Sequence, residues 1–205
     1  METAEMTPTR SSKRSLERGD LMDPAAYAAK RKEMRAELLA IKRPRRIEIG
    51  PVATCYFECF ETMVHQINEM LYIEKGGEEQ IQDELDAYAG MVPNGRELVA
   101  TVMFEIDDPV RRHAFLAKLG GIEETMFIRF AGHEVVGKPE EDVDRTTADG
   151  KASSVQFIHF PFTDEQVAAF KKTDEQIVIG FTHPQYSHMV VLQEASRASL
   201  AADFD

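Results

Sequence analysis

The stretch from Phe57 to Lys75 shows the most regular hydrophobic pattern in this sequence. Plotted at about 100° per residue, its apolar side chains gather on one face and its charged and polar side chains on the opposite face. Two glycines follow directly, at positions 76 and 77, and glycine commonly ends a helix. The stretch therefore predicts one long amphipathic helix, whose apolar face has to be buried against another part of the fold.

Two further helices are predicted in the first half of the chain. The earlier one begins at Asp23 and Pro24, a capping residue followed by a residue suited to the first helical turn, and Pro44 stops it. The later one covers the acidic run at residues 78–88 and ends at the turn-rich residues 90–95. The helix that begins at Asp23 and the helix from Phe57 are the two long N-terminal ones.

The second half of the chain changes from a helical to an alternating period. In residues 96–106 every second side chain is apolar, which is typical of a strand with one buried face. Similar short runs recur at residues 125–132, 134–138, 153–162, 176–183 and 188–192. Helices are predicted between some of them and at the end, at residues 107–120, 164–172 and 194–204, and Thr163 with Gln166 forms a capping box at the start of the second of these helices. The sequence thus predicts an α+β fold with an antiparallel or mixed sheet of about five to six strands, covered by the two long N-terminal helices and shorter helices.

Charge is distributed unevenly along the chain. Residues 1–46 hold 12 basic and 7 acidic residues, whereas residues 47–205 hold 12 basic and 29 acidic residues, a net charge of −17. The first 19 residues have little apolar content, so we expect a flexible basic tail at 1–19 and a single α+β domain at 20–205. An acidic body repels phosphate, which disfavours nucleic acid as the main partner, although a basic arm that binds phosphate stays an alternative.

Cysteine content and hydropathy indicate a cytoplasmic protein. Cys55 and Cys59 are the two cysteines, and a disulfide over so short a loop would stabilise little, so reduced thiols are expected. No apolar run approaches the roughly 18 residues that a membrane-spanning helix requires. The N-terminal residues also lack the apolar region of a signal peptide, so we expect neither membrane insertion nor export.

The polar face of the long helix is the first candidate site. Glu58, Glu61, His65 and Glu69 recur at spacings of three and four residues, which could direct three carboxylates and an imidazole towards one metal ion. The arrangement differs from the Glu-x-x-His pattern of ferritin-like iron sites. A solvated charged helix face is the alternative interpretation.

The segment FTHPQYSH is the second candidate site, because it brings His183, Tyr186 and His188 together at the end of a strand. The alternative is a proline-directed turn with incidental histidines. Combined with the helix carboxylates, the predicted metal ligands are Glu58, Glu69 and His183, with iron, manganese or zinc as the metal. Catalytic triads, phosphate-binding loops, dinucleotide fingerprints and zinc motifs do not occur in the sequence.

Several runs in fixed order resemble a bacterial family known as domain of unknown function 3501. They include RRIEIGP, FECFETMVHQINEMLYIEK, VPNGRELVATVMFEI, RRHAFLAKLGGIE, SSVQFIHF and GFTHPQY, and the likeness covers roughly residues 20–203. The resemblance implies no established activity. It does imply a gene that often lies beside those of a rubrerythrin and an iron–sulfur oxidoreductase, and therefore a link to oxidative stress through peroxide or iron redox metabolism.

The resemblance also selects residues. The positions that fit the family pattern are Glu58, Thr62, Met63, Gln66, Glu69, Met70 and Glu74 on the helix, and His183, Pro184 and Tyr186 on the loop. From these, the candidate ligand-binding set is Glu58, Gln66, Glu69, Glu74, His183 and Tyr186. His65 and both cysteines depart from the family pattern, which weakens a Glu/His metal stripe and a thiol site.

Two functions are therefore predicted. The first is a non-enzymatic accessory or binding protein of a rubrerythrin-type system, with a rubrerythrin or an iron–sulfur oxidoreductase as partner and the acidic body and basic arm as contact surfaces. The alternative is a metal-dependent oxidoreductase or hydrolase that uses the helix carboxylates and His183. Base rates for soluble proteins favour a homodimer in either case.

Overall fold

The computed structural model describes residues 11–140 and 145–205. The described residues divide into two compact units, a helical unit of residues 11–44 and 58–94 and a sheet unit of residues 45–57, 95–140 and 145–205. Residues 1–10 of the predicted flexible tail lie outside the described residues, and the single domain at 20–205 stays a prediction. Within the described residues, no helix is both long enough and apolar enough to cross a bilayer.

The helical unit contains three α-helices joined by short connections. They are α1 Pro24–Lys42, α2 Phe60–Glu74 and α3 Gly77–Tyr88. Asp23 caps α1 as predicted, since its carboxylate accepts hydrogen bonds from the backbone amides of Ala25 and Ala26. Helix α2 packs against both α1 and α3, and Ile67, Leu71 and Leu85 form the apolar cluster between α2 and α3.

The long helix is shorter at its start than the sequence predicts. Phe57 is the last residue of a strand and pairs with Ala100, so its side chain belongs to the core of the sheet unit. Cys59 is the extended N-cap residue, with the Thr62 hydroxyl accepting a hydrogen bond from its backbone amide. Phe57 fits the helical spacing of apolar residues only by coincidence, because it belongs to a strand. Glu58 consequently lies before α2 rather than on its polar face.

Part of the segment predicted as tail contacts the helical unit. Leu16 packs against the apolar cluster of α2 and α3, and the backbone amide of Ser11 donates to Glu61 Oε1 at 2.5 Å. Arg18 forms an ion pair with Glu78 at the start of α3. The Arg18–Glu78 pair lies at the surface, where solvent screening leaves an ion pair little effect on stability.

The sheet unit contains two antiparallel sheets. Their strands are β1 Arg46–Ile49, β2 Ala53–Phe57, β3 Glu97–Phe104, β4 Met126–Phe130, β5 His133–Val136, β6 Lys138–Pro139, β7 Val155–Pro161, β8 Val178–Phe181 and β9 Met189–Val191. The five-stranded sheet has the order β1-β2-β3-β7-β6, and the four-stranded sheet has the order β5-β4-β8-β9. Helices α4 Pro109–Leu116, α5 Asp164–Lys172 and α6 Glu194–Ala201 complete the unit.

The predicted α+β class and antiparallel strand pairing are confirmed. The described residues form two sheets with more strands than the five to six expected. Strand β2 is one addition, because its short apolar run leads directly into the N-cap of α2 and gives no turn signal of its own. The capping box of Thr163 and Gln166 at the start of α5 is confirmed.

The core of the sheet unit is largely aliphatic and aromatic. Phe130, Phe162, Phe170 and Phe204 form an aromatic cluster with ring centroids 4.7–5.8 Å apart. Each of these rings is buried. Because α6 and the residues after it supply part of this core, the C-terminal segment is an integral element of the sheet unit.

Candidate functional site

The Glu69 carboxylate lies at the centre of a polar cluster between α1 and α2. The Tyr27 hydroxyl donates to Glu69 Oε1 at 2.6 Å, and Arg31 donates to both carboxylate oxygens, with Nε and one terminal nitrogen each 2.8 Å away. The His65 Nε2 atom is 3.3 Å from the Tyr27 hydroxyl. The Arg31 guanidinium also lies over the ring of Tyr72, 5.0 Å from its centroid.

These contacts and burial shift the pKa values of Glu69, Tyr27 and His65. The Arg31 hydrogen bonds, followed by that of Tyr27, lower the pKa of Glu69 to about 2. Burial and the hydrogen bond to Glu69 raise the pKa of Tyr27. Burial lowers the pKa of His65 despite the nearby Glu69 carboxylate. At neutral pH the cluster therefore holds a charged Arg31–Glu69 pair beside a neutral tyrosine and a neutral histidine, and both Glu69 oxygens are already occupied.

The other helix candidates lie apart from this cluster. Glu58 is buried before the start of α2. Gln66 donates from its amide nitrogen to the Tyr88 hydroxyl at 3.3 Å, which joins α2 to α3. Glu74 is the exposed last residue of α2, and Gln80 donates to its Oε2 atom at 2.8 Å. The stripe predicted along one helix face is therefore divided among separate structural contacts.

His183 is buried in the loop after β8 of the sheet unit, with both ring nitrogens engaged. Its Nδ1 atom accepts from the backbone amide of Gln185 at 3.2 Å, and Nε2 lies 3.3 Å from the carbonyl oxygen of Gly120. A carbonyl oxygen only accepts, so this pair of contacts fits a neutral ring with its proton on Nε2. A metal ligand needs a free nitrogen lone pair, and here the Nδ1 lone pair already accepts a hydrogen bond.

Tyr186 is almost fully buried, and its hydroxyl forms hydrogen bonds with the backbone of the turn between β1 and β2. Its hydroxyl donates to the carbonyl oxygen of Ile49 at 2.6 Å and accepts from the backbone amides of Val52 and Ala53 at 3.3 and 3.1 Å. Burial raises the pKa of Tyr186. His183 and Tyr186 therefore each bond to the backbone of a distant segment, His183 to Gly120 and Tyr186 to Ile49.

A metal centre has little support in this arrangement. Over residues 11–140 and 145–205, no three or more His, Cys, Asp or Glu side chains are grouped so that they could hold a metal ion. Among the predicted ligands, Glu69 and His183 use their donor atoms in the contacts above. The alternative function of a metal-dependent enzyme gains no supporting observation from the described residues.

The sequence did not single out the outer face of the four-stranded sheet. Strand pairing aligns Val136, Phe127, Gly180 and Met189 in one row across all four strands, and it places Val191 in the neighbouring row. The side chains of Val136, Met189 and Val191 are 51%, 56% and 38% exposed. We call these three residues the apolar sheet face. The alternation of each strand is visible in the sequence, but the register that aligns the rows is not.

The guanidinium of Arg129 covers the Phe127 ring on this face. It lies 3.9 Å from the centroid of the Phe127 ring, on the same side of the sheet, and forms an ion pair with Glu134 of the adjacent strand. Phe127 is thereby 2% exposed although it points away from the core. The apolar sheet face therefore has a charged pair at its centre and exposed apolar side chains on both sides.

The architecture defines an α+β protein with a three-helix unit and a two-sheet unit, in which most of the candidate side chains hold the fold together. The chain belongs to the family described as "Protein of unknown function (DUF3501)", which matches residues 15–204. It is similar to a crystal structure of a protein of unknown function from Burkholderia pseudomallei K96243, with 37% identity and a TM-score of 0.86. The match covers 93% of this chain and 100% of that one. No curated protein matches this chain.

Proposed function

We propose that this chain is a non-enzymatic binding protein that acts as an accessory of a rubrerythrin-type peroxide-reducing system. The partner in this proposal rests on the family resemblance, whose genes often lie beside those of a rubrerythrin and an iron–sulfur oxidoreductase. Engagement of Glu69, His183 and Tyr186 in internal hydrogen bonds favours a protein that works through its surface.

The observation that carries the proposal is the apolar sheet face. Exposed apolar side chains flank the Arg129–Glu134 pair on this face, Val136 on one edge strand and Met189 with Val191 on the other, and they offer apolar contacts to a protein partner. Met189 and Val191 are adjacent on the same side of the edge strand β9, and Val178 beside them is half-buried. The Arg129–Glu134 pair on the same face would add polar contacts that fix the orientation of a partner.

Binding to purified rubrerythrin and to the iron–sulfur oxidoreductase of the same bacterium tests this proposal. Isothermal titration of the full chain should give saturable binding to one of them. The double variant Met189→Lys/Val191→Lys should weaken that binding at least about tenfold, because two charges would have to be desolvated at the interface.

Val110 offers a matched control. It is 76% exposed on α4 and lies outside the apolar sheet face, so Val110→Lys adds the same kind of charge at an unrelated exposed position. This variant should bind like the wild type. Absence of binding by the wild type to either protein, or equal losses in both variants, would count against the proposal.

A further inference from the structure

The two sheets of the sheet unit end in four edge strands, and one of these edges differs from the others. The edges are β1 and β6 of the five-stranded sheet and β5 and β9 of the four-stranded sheet. Edge strands commonly carry charged residues or proline, which hinder pairing with another chain. Such residues occur on three of the edges, namely the exposed Arg46 and Glu48 on β1, the exposed Glu134 on β5, and Lys138 and Pro139 on β6. Strand β9 reads Met-Val-Val and has neither a charged residue nor a proline.

The backbone of β9 directs polar groups towards its free edge. In an antiparallel pair, residues that hydrogen-bond to the neighbouring strand alternate with residues whose N–H and C=O point the other way. The carbonyl oxygen of His188 accepts from β8 at 2.9 Å, and the amide of Leu192 donates to the residue before β8 at 2.8 Å. Met189 and Val191 lie one position inside these two residues, so their N–H and C=O groups point away from β8.

These outward groups are unpaired within the described ranges 11–140 and 145–205. Strand β1 lies near β9, but no backbone hydrogen bond joins the two strands in those ranges. The side chains at the same two positions are exposed as well, Met189 to 56% and Val191 to 38%. The edge thus combines free backbone donors and acceptors with apolar side chains, which is what a further strand would cover.

From these observations we propose that β9 pairs antiparallel with β9 of a second copy of the chain, across a two-fold axis beside Val190. In this register Met189 of each copy lies opposite Val191 of the other, and each such pair exchanges both of its backbone hydrogen bonds. The two four-stranded sheets then join into one continuous sheet. The same strand is used in both copies, so the interface is isologous and closes as a dimer.

A second copy fits this edge because the strand is complementary to itself. Under the two-fold axis every outward N–H of Met189 and Val191 meets an outward C=O of the other copy. Two chains of net charge −12 repel each other, but β9 brings no charge into the contact, and charges farther than about 8 Å apart are screened at physiological salt. The dimer also extends the apolar sheet face across both copies. It goes beyond the proposed function, because it requires neither a rubrerythrin nor an oxidoreductase.

Proline at position 191 tests the edge specifically. The Val191 N–H points away from β8, so proline removes a donor that only the second copy would use, and its ring obstructs the approaching strand. Wild type should sediment as a dimer at equilibrium. Val191→Pro should have a dissociation constant at least about tenfold weaker.

Val136→Pro is the matched control. Val136 is 51% exposed on the same side of the sheet, but it belongs to the other edge strand, β5. The adjacent Gly137 amide donates to the Met126 carbonyl of the neighbouring chain segment, so the Val136 N–H also points to the free edge. Val136→Pro should therefore dimerise like the wild type.

Met189→Lys is a second variant that leaves the backbone unchanged. It places a charge on the edge, as the other edge strands have, and the charge would have to be desolvated in the dimer. Its dissociation constant should also be at least about tenfold weaker. Circular dichroism of each variant verifies that the fold is retained.

An introduced cysteine tests the register. The two copies of Val190 would form a non-hydrogen-bonded pair with Cα atoms about 4.5 Å apart, a distance that a disulfide spans. Val190→Cys should therefore form disulfide-linked dimers with oxidised glutathione as the oxidant. Val110→Cys, at a position that is 76% exposed on α4, should stay unlinked. The native Cys55 and Cys59 are buried.

Four outcomes would overturn the inference. They are a monomeric wild type, unchanged dissociation constants in Val191→Pro and Met189→Lys, a Val136→Pro variant that dissociates as Val191→Pro does, and a Val190→Cys variant that is linked no more than Val110→Cys. Sedimentation of the chain alone contains no other protein, so failure of the dimer is distinguishable from failure of the proposed function.

Discussion

The two units use charged residues in opposite ways. In the sheet unit the central ion pair, Arg45 with Asp203, is 1% exposed on both sides and is surrounded by an apolar core. In the helical unit the corresponding pair, Arg31 with Glu69, is partly exposed, at 32% and 14%, and the apolar cluster beside it is small. An arginine–carboxylate ion pair is therefore fully buried in the sheet unit, whereas in the helical unit it is partly exposed and joins α1 to α2.

The same contrast bears on the candidate residues, which are hydrogen-bonded within the fold. Buried polar groups must be hydrogen-bonded, so a fold that encloses Glu, His and Tyr side chains supplies each with partners. His183 and Tyr186 receive backbone partners, and Glu69 receives Tyr27 and Arg31. Binding is proposed instead at the exposed apolar side chains of Val136, Met189 and Val191.

The largest expected effect comes from breaking the buried Arg45–Asp203 ion pair. Asp203→Ala leaves the Arg45 guanidinium buried without its carboxylate, which should lower the free energy of unfolding by about 3–5 kcal/mol. Urea unfolding measures it. The matched control is Glu194→Ala, which breaks an exposed pair with Arg197 and should change the free energy of unfolding far less. Equal losses in the two variants would show that burial does not distinguish these pairs.

The next effect tests the Tyr186 hydroxyl. Tyr186→Phe removes one donor and one acceptor from the turn between β1 and β2, leaving the buried carbonyl of Ile49 without that donor. We expect a loss of about 1–3 kcal/mol in urea unfolding. The control is Tyr72→Phe, since the Tyr72 hydroxyl makes no hydrogen bond within the described residues, and it should change stability by less than about 0.5 kcal/mol. An unchanged free energy of unfolding in Tyr186→Phe would show that this hydroxyl does not stabilise the turn.

A smaller and pH-dependent effect is expected in the helical unit. The folded pKa of Glu69 is about 2, below its ordinary 4.5, so the carboxylate stabilises the fold above pH 4.5 and this contribution disappears as pH falls towards 2. Because the cluster is partly exposed, Glu69→Gln should cost only about 1–2 kcal/mol at pH 7. The difference between wild type and variant should shrink as urea unfolding is repeated from pH 5 down to about pH 2.5. A difference independent of pH would contradict the charged Arg31–Glu69 pair.

The smallest effect concerns His159 on the five-stranded sheet. Its Nδ1 atom lies 3.1 Å from Glu97 Oε2, and this contact raises the pKa of His159 above its ordinary 6.5, with Glu140 also favouring the protonated ring. The pair is fully stabilising below pH 6.5 and loses its contribution as pH rises through the folded pKa. Glu97→Gln should lower the His159 pKa, as measured by NMR titration. An unaltered titration would show that the pair is not coupled.

Local signals predicted much of this fold correctly. The cap at Asp23, the capping box at Thr163 and the alternation in β3 each depend on neighbours in the chain, and each appears in the structure. The boundary at Phe57 was missed because an aromatic residue fits both a strand end and the helical period that follows it. Pairing of strands into two sheets depends on contacts between distant residues, which periodicity does not contain.

The candidate site was less predictable for the same reason. Glu69 and His183 were selected because their side chains can bind metal. In the structure Glu69 contacts Arg31 and His183 contacts Gly120, which lie 38 and 63 positions away in the chain. The apolar sheet face depends on register, since a shift of one residue would turn Met189 and Val191 towards the core. Sequence therefore identified reactive residue types, and only tertiary contacts show that they are engaged.

The central claim is that this protein works through its surface. Titration of the purified rubrerythrin and oxidoreductase with wild type, Met189→Lys/Val191→Lys and Val110→Lys tests it most directly. The account predicts saturable binding to one of these proteins by wild type and Val110→Lys, and binding at least about tenfold weaker by the double variant. Unchanged affinity in the double variant, or no binding by the wild type, would contradict it.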